Sequence, residues 1–306
     1  MARTQLGSGV RWLPLLYDRQ QAHVVRQPMG PVLTDHELNR ASWDQLAAIH
    51  GQDAYYDAQA LCGGASSLIP EEEAALTLAV GADVAGKRIL HLQCHLGFDA
   101  ITFARRGAHV TGVDFSTVAL EKARALAARC NVRIDWVCAD VLELPEDLNS
   151  SFDVVWATVG VVCWIADLPA WMRAVSAVLA PGGKLVLIDG VVSEPASRAA
   201  GDLAEPTPLR KVVQRGWDYA TPLRTGPQVQ FHYPLRVITS TARGAGLRIR
   251  HLEEHTSIST HLCINGLVRE SDGRYRKPGA APVLFTLIAE RDEPLAGMST
   301  AAEVGR

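Results

Sequence analysis

Three residues of metal-binding types stand together in "HLQCH", residues 91–95: His91, Cys94 and His95. Imidazole and thiolate groups are good ligands for zinc or copper. The flanking residues argue for different chemistry. Ile89, Leu90 and Leu92 mark "RILHLQ" as a buried strand, on which successive side chains face opposite ways. His91 and Gln93 then share one face while Leu92 and Cys94 share the other, so His91 and Cys94 do not converge on one ion. No CxxC or HxxxH partner lies nearby, and no metal is expected.

The alternative is a turn that holds a nucleoside. In a doubly wound sheet the first strand ends in a tight loop that opens a helix, and the ligand lies at the carboxyl edge of the strands. Gly97 stands at that turn, "FDAITFARRG" supplies the helix, and "HVTGVD" supplies a second strand ending in Asp114. An acid at that strand end can accept hydrogen bonds from both ribose hydroxyls of a nucleotide cofactor.

The elements that position this turn can be read along the chain. "RILHLQ", "HVTGVD", "RIDWVC", "FDVVWAT" and "KLVLID" are short apolar runs alternating with helical patterns, which predicts a parallel sheet covered by helices on both faces. "STVALEKARALAARCN" starts at a Ser116 cap, and "DLPAWMRAVSAVLAPGG" has proline near its start and "PGG" after its end. Upstream, Thr34 caps a helix through Ile49, and Pro70 opens a second helix whose first turn carries three glutamates. Residues 190–232 hold five prolines and no clear strand, the texture of a functional insertion. A helix around "LRVITSTARGAG" and strands "RIRHLEEHT" and "PVLFTLIAE" follow.

Composition narrows the function classes. The chain has 306 residues, 48% of them hydrophobic, and a formal charge of −3 without long like-charge runs, so nucleic acid is not an expected partner. "VVWATVGVVCWIA", the longest uncharged apolar run, is well short of the roughly 18 residues a membrane span needs. With no secretory signal recognisable, the expected location is cytoplasmic, and the six scattered cysteines are read as reduced thiols.

"LHLQCHLGFD" (90–99) and "GAHVTGVDFS" (107–116) resemble the class I S-adenosylmethionine-dependent methyltransferases, in the bacterial branch whose first motif reads HLQCHxGxD. The resemblance extends through "CADVLELP" (138–145), "FDVVWATVGVVCWIADLPAW" (152–171) and "LAPGGKLVLID" (179–189), with weaker echoes over most of 39–291. It implies a Rossmann-like α/β fold: a seven-stranded, mostly parallel sheet with helices on both faces, an N-terminal helical extension and an insertion after the fifth strand. The expected organisation is an arm at 1–33, a helical cap or lid at 34–86, the methyltransferase core at 87–291 with an acceptor-side insertion at 190–235, and a tail at 292–306. Joining of copies through the arm into a homo-oligomer is a further expectation.

The resemblance also implies roles. S-adenosylmethionine would be the cofactor. Gln93, Cys94, His95 and Gly97 would wrap its methionyl part, Asp114 would hold the ribose, and Phe115 would lie against the adenine. Asp140, between Ala139 and Val141, would meet the adenine edge, and Thr158 would border the path to the acceptor. Two departures stand out. His91 occupies the position of the superfamily's acid ahead of GxGxG, with Gln93 and His95 at two of the glycine positions. "DGVVSEP" stands where an acidic-His-Pro stretch often follows the fifth strand.

An activated sulfonium leaves the protein to align the acceptor and, for some acceptors, to remove a proton. Candidate bases are His232, Glu194, Tyr233 and His255. Tyr55, Tyr56, Trp164 and Trp217 are candidate walls of an acceptor pocket, and Ser66 and Ser67 in "CGGASSL" would touch cofactor or acceptor. The expected activity is methyl transfer to N, O or C of a small natural-product or metabolic acceptor. The alternatives are an enzyme of the same fold that binds the cofactor but catalyses cyclisation or elimination, and an NAD(P)-dependent oxidoreductase, whose GxGxxG is missing here.

Overall fold

The computed structural model describes residues 33–51, 56–191, 211–213, 228–260, 262 and 266–292. Seven strands form the main sheet: β1 (Arg88–Leu92), β2 (His109–Asp114), β3 (Asp135–Cys138), β4 (Phe152–Thr158), β5 (Leu179–Gly190), β6 (Leu247–His255) and β7 (Leu284–Arg291). Their spatial order is 3-2-1-4-5-7-6. β1 to β5 run parallel, and β7 lies antiparallel between β5 and β6. The order reverses at β1, so the crevice beyond the carboxyl ends of β1 and β4 is where such a sheet takes a ligand.

Seven α-helices are described: α1 (Asp35–Ile49), α2 (Ala58–Cys62), α3 (Pro70–Val80), α4 (Phe98–Arg105), α5 (Thr117–Arg129), α6 (Leu168–Val178) and α7 (Leu235–Gly244). Strand alternation sorts the core into two layers. Leu90, Val155 and Leu187 face Trp171, Met172 and Val175 of α6 and Ile238 of α7. Ile89, Val154 and Val186, one residue away on each strand, face Leu76 of α3 and Ala100 and Phe103 of α4. Both faces of the central strands are buried, which explains why they read as continuous apolar runs.

Local signals set the helix starts. Thr34 and Glu37 form a reciprocal capping box at α1, and the Ser116 side chain accepts from the Ala119 N–H at α5. Within residues 34–86, α3 packs in the sheet-covering core and brings Glu72 to the cavity described below, and α1 and α2 supply further wall residues.

Two details differ from the sequence reading. β1 ends at Leu92, so Gln93 and Cys94 lie in the following turn rather than on the strand. The thiol expectation is corrected at Cys62 and Cys130, which form a disulfide linking the end of α2 to the end of α5. They are 68 residues apart in sequence but their Cα atoms are 4.6 Å apart, a proximity created by the packing of Leu61 against Leu126 and Ala127.

Candidate active site

The turn after β1 keeps the backbone of a glycine loop without the glycines. Gln93, His95 and Gly97 all have left-handed backbone, with φ of 51°, 48° and 72°. Only glycine adopts this conformation without strain, and an L-residue in it costs about 1 kcal/mol. The two side chains that bear this strain are held by contacts. The Gln93 amide Nε2 donates to the Val161 carbonyl at 3.1 Å, and His95 Nε2 lies 2.9 Å from His50 Nδ1. The His95 ring also meets Trp43 and Tyr56, and burial pushes its pKa well down, so it is a neutral imidazole. Gly97 itself packs against the Trp136 ring, where a Cβ would overlap it.

Asp114, at the end of β2, locks this turn. Its carboxylate accepts from the His95 N–H at 2.8 Å and from the Ser116 N–H at 2.9 Å. It is 6% exposed, and burial pushes its pKa up to about 6 against the lowering effect of those N–H groups.

A cavity of about 450 Å³ opens over the carboxyl ends of β1, β2 and β4. Among the expected cofactor residues, Gln93, Cys94, His95, Asp114, Phe115, Ala139, Asp140, Val141 and Thr158 line it, while Gly97 supports the turn from beneath. Of the expected acceptor residues, Tyr56, Ser66, Ser67 and Trp164 line it; Tyr55 and Trp217 lie outside the described residues.

The proposed bases fare differently. Glu194 also lies outside the described residues. His232 is absent from the cavity lining, although Phe231 beside it is present. Tyr233 corrects the sequence reading: its buried hydroxyl donates toward the carbonyls of Ile165 and Ala166, at 2.9 and 3.0 Å, and burial pushes its pKa up to about 12. That hydroxyl braces the loop after β4 and is poorly placed to take a proton. His255 ends β6, bonded to Thr286 of β7 at 2.8 Å, and is also outside the cavity lining.

Several wall residues were not singled out from sequence. Trp43 of α1 meets Trp164 edge to face, with ring centroids 5.3 Å apart. His36 of α1 lies 3.0 Å from Asp140 and edge-on to Phe115. Asp99 and Glu72 place two carboxylates in the lining. Helix α1 is fastened to residues 228–229: Asn39 exchanges two hydrogen bonds with the backbone of Val229, and Gln228 donates to Ser42.

Asp189, near the end of β5, fastens the loop after β4. Its carboxylate accepts from the N–H groups of Gly160, Val161 and Val162 at 2.8–2.9 Å. Burial raises its pKa, while those N–H groups and that of Gly190 pull it down. Asp189→Asn keeps the size but turns an NH₂ toward these N–H groups. A buried charged acceptor lost in this way costs about 2–4 kcal/mol, and chemical denaturation with an unchanged m-value is the expected readout.

The methyltransferase-domain family matches residues 89–183. A ubiquinone biosynthesis O-methyltransferase of Chromobacterium violaceum is 33% identical over 102 residues, covering 33% of this chain and 44% of that protein. A demethylmenaquinone methyltransferase of Clavibacter sepedonicus is 36% identical over 144 residues, covering 47% of this chain and 51% of that protein. The chain thus spans about half the length of these relatives. Among solved structures, the N1-methyltransferase of 1,6-didemethyltoxoflavin from Burkholderia thailandensis aligns with 87% of this chain and 94% of its own at a TM-score of 0.52 and 15% identity. The cyclase SpnF aligns with 88% of this chain and 100% of its own, with the same TM-score and 18% identity. The fold is therefore the Rossmann-like methyltransferase fold. Residues 89–183 are similar to the methyltransferase-domain family, and S-adenosylmethionine is the cofactor that this likeness supports.

The residues present suit that cofactor. The cavity volume falls in the range of small-ligand pockets. Asp114 retains acceptor capacity beyond its two N–H donors, and two buried polar atoms, His91 Nδ1 and Gln93 Oε1, have no hydrogen-bond partner. No helix among the described residues is long and apolar enough to cross a membrane.

Proposed function

We propose that this protein transfers the methyl group of S-adenosylmethionine to a small, planar natural-product or metabolic acceptor. The observation that carries the reading is the turn at 93–97, held in a glycine-loop backbone by Asp114 at the mouth of the cavity. When bound, the cofactor supplies an electrophilic methyl on a sulfonium, so the protein's task is alignment and exclusion of water. Asp114 would hold the ribose, and Phe115 and Val141 would enclose the base.

The acceptor would lie against Trp43, Tyr56, Trp164 and Phe231, which form a largely aromatic wall. Such a wall binds flat rings, and aromatic faces also stabilise a neighbouring sulfonium. The names of the two curated relatives point to quinone acceptors, which supports a ring-shaped substrate. His95, kept neutral by burial, adds no positive charge beside the sulfonium.

The test is transfer of labelled methyl from S-adenosylmethionine to a panel of hydroxylated aromatics and quinols, beside calorimetry with S-adenosylhomocysteine. Saturable binding with transfer supports the reading. Binding without transfer, but with conversion of an unmethylated substrate, would favour cyclisation or elimination. No binding of either nucleoside would sink the assignment.

Affinity should also depend on pH. Because burial raises Asp114 to about 6, the folded chain keeps this proton at a pH where an unfolded carboxyl has lost it. Asp114 therefore detracts from stability increasingly as pH rises from the ordinary carboxyl range through about 6. Ribose hydroxyls donate to the ionised form, so binding should release a proton near pH 6. Affinity for S-adenosylhomocysteine should fall about tenfold between pH 7 and pH 5. Calorimetry in buffers of different ionisation enthalpy reads the proton directly, and Asp114→Asn should flatten the profile.

A further inference from the structure

We propose that Asp99, on the first turn of α4, holds the amino group at the methionyl end of the cofactor, replacing the acid that β1 lacks. The inference rests on the cofactor reading above and adds a residue to it. The superfamily's acidic position on β1 is filled here by His91. That residue is 96% buried, its Nδ1 has no partner, and it lines the cavity. Burial lowers its pKa, so it supplies neither the negative charge nor a dependable positive one.

Asp99 stands directly behind this substitution, with Oδ2 4.0 Å from His91 Nε2. Three neutral donors, one from the loop before α3 and two from β4, fix its carboxylate: Ser67 Oγ at 2.7 Å, Trp156 Nε1 at 3.1 Å and Thr158 Oγ1 at 3.2 Å. Oδ1 receives only the Ser67 hydroxyl, leaving it acceptor capacity. Among the described residues the cavity lining contains no lysine or arginine, and burial, with Asp99 alongside, holds the Glu72 carboxyl well above the usual carboxylate range, so that Asp99 carries the charge. A part-buried carboxylate in such surroundings needs a cation. An ammonium is a compact point charge with three donors, and it suits this acceptor together with the unpartnered Gln93 Oε1.

The acid has in effect moved from the strand to the helix. A histidine at position 91 is tolerated because Asp99, eight residues on, brings a carboxylate back to the carboxyl edge of β1. This gives the aspartate of the HLQCHxGxD motif a chemical role, with Ser67 and Thr158 as the residues that aim it.

The experiment compares three ligands by calorimetry on the full chain: S-adenosylhomocysteine, its analogue lacking the amino group, and methylthioadenosine, which lacks the whole amino-acid arm. On the unaltered protein, removing the amino group should weaken binding about tenfold or more. In Asp99→Asn, S-adenosylhomocysteine should lose a similar factor, the deaminated analogue should bind as well as S-adenosylhomocysteine does, and methylthioadenosine should change less than twofold.

Equal affinity of the unaltered protein for S-adenosylhomocysteine and its deaminated analogue would overturn the proposal without any variant. Equal weakening of all three ligands in Asp99→Asn would overturn it as well, since the residue would then act on the pocket as a whole. If the unaltered protein binds none of the three, the cofactor reading itself fails.

Discussion

Asp114→Ala should lower affinity for S-adenosylhomocysteine at least a hundredfold at pH 7.5. The carboxylate has two tasks that fail together. Toward the protein it accepts from the His95 and Ser116 N–H groups and so fixes the turn that bears Gln93 and His95 in left-handed backbone. Toward the ligand it would accept from the ribose. Hydrogen bonds to a charged group are worth about 1.5–3 kcal/mol each, and about 1.4 kcal/mol is a factor of ten in affinity, so two ribose contacts alone reach the hundredfold. Asp114→Asn retains one acceptor and should lose less. A change below threefold in Asp114→Ala would remove the ribose assignment, whatever happens to turnover.

Gly97→Ala should destabilise the fold by about 2–4 kcal/mol. Two effects add: left-handed backbone at φ 72° costs an alanine about 1 kcal/mol, and the new Cβ overlaps the Trp136 ring, an overpacking cost of about 1–3 kcal/mol. Gly246→Ala separates them. That glycine has φ 79°, and a Cβ there meets nothing within 4 Å, so its substitution should cost only the backbone component of about 1 kcal/mol. Equal losses in the two variants, measured by urea denaturation, would show that Trp136 yields without cost. Since Trp136 lies on β3 and Gly97 caps α4, the variant should also weaken S-adenosylhomocysteine binding through a displaced turn.

The sheet and the turn after β1 were legible in the sequence because their information is local. Apolar runs such as "KLVLID", Pro70 at a helix start and Ser116 at a cap each act within a few residues. Asp114 was legible because strand length and the turn before it fix which residue ends β2. The side chains that converge from remote segments were not. Asp99 is in the quoted motif, yet its task depends on Ser67, Trp156 and Thr158, up to 59 residues away in sequence. Asp189 likewise showed only as a strand end; the N–H groups it holds belong to another loop. Tyr233 misled for the converse reason, as a tyrosine beside a histidine in a loop gives no hint that two backbone carbonyls take its hydroxyl. The Cys62–Cys130 bridge was missed because the expectation came from the redox state of a compartment and not from distance.

The fastening of α1 bears on timing. Asn39 and Ser42 tie a helix near one end of the described chain to Val229 and Gln228, about 190 residues later. Trp43, one residue beyond Ser42, is a cavity wall. Residence time at this site is then governed by how often the clasp opens as well as by grip on the ligand. A substituted clasp would shorten residence while leaving the contacts of the closed state as they are.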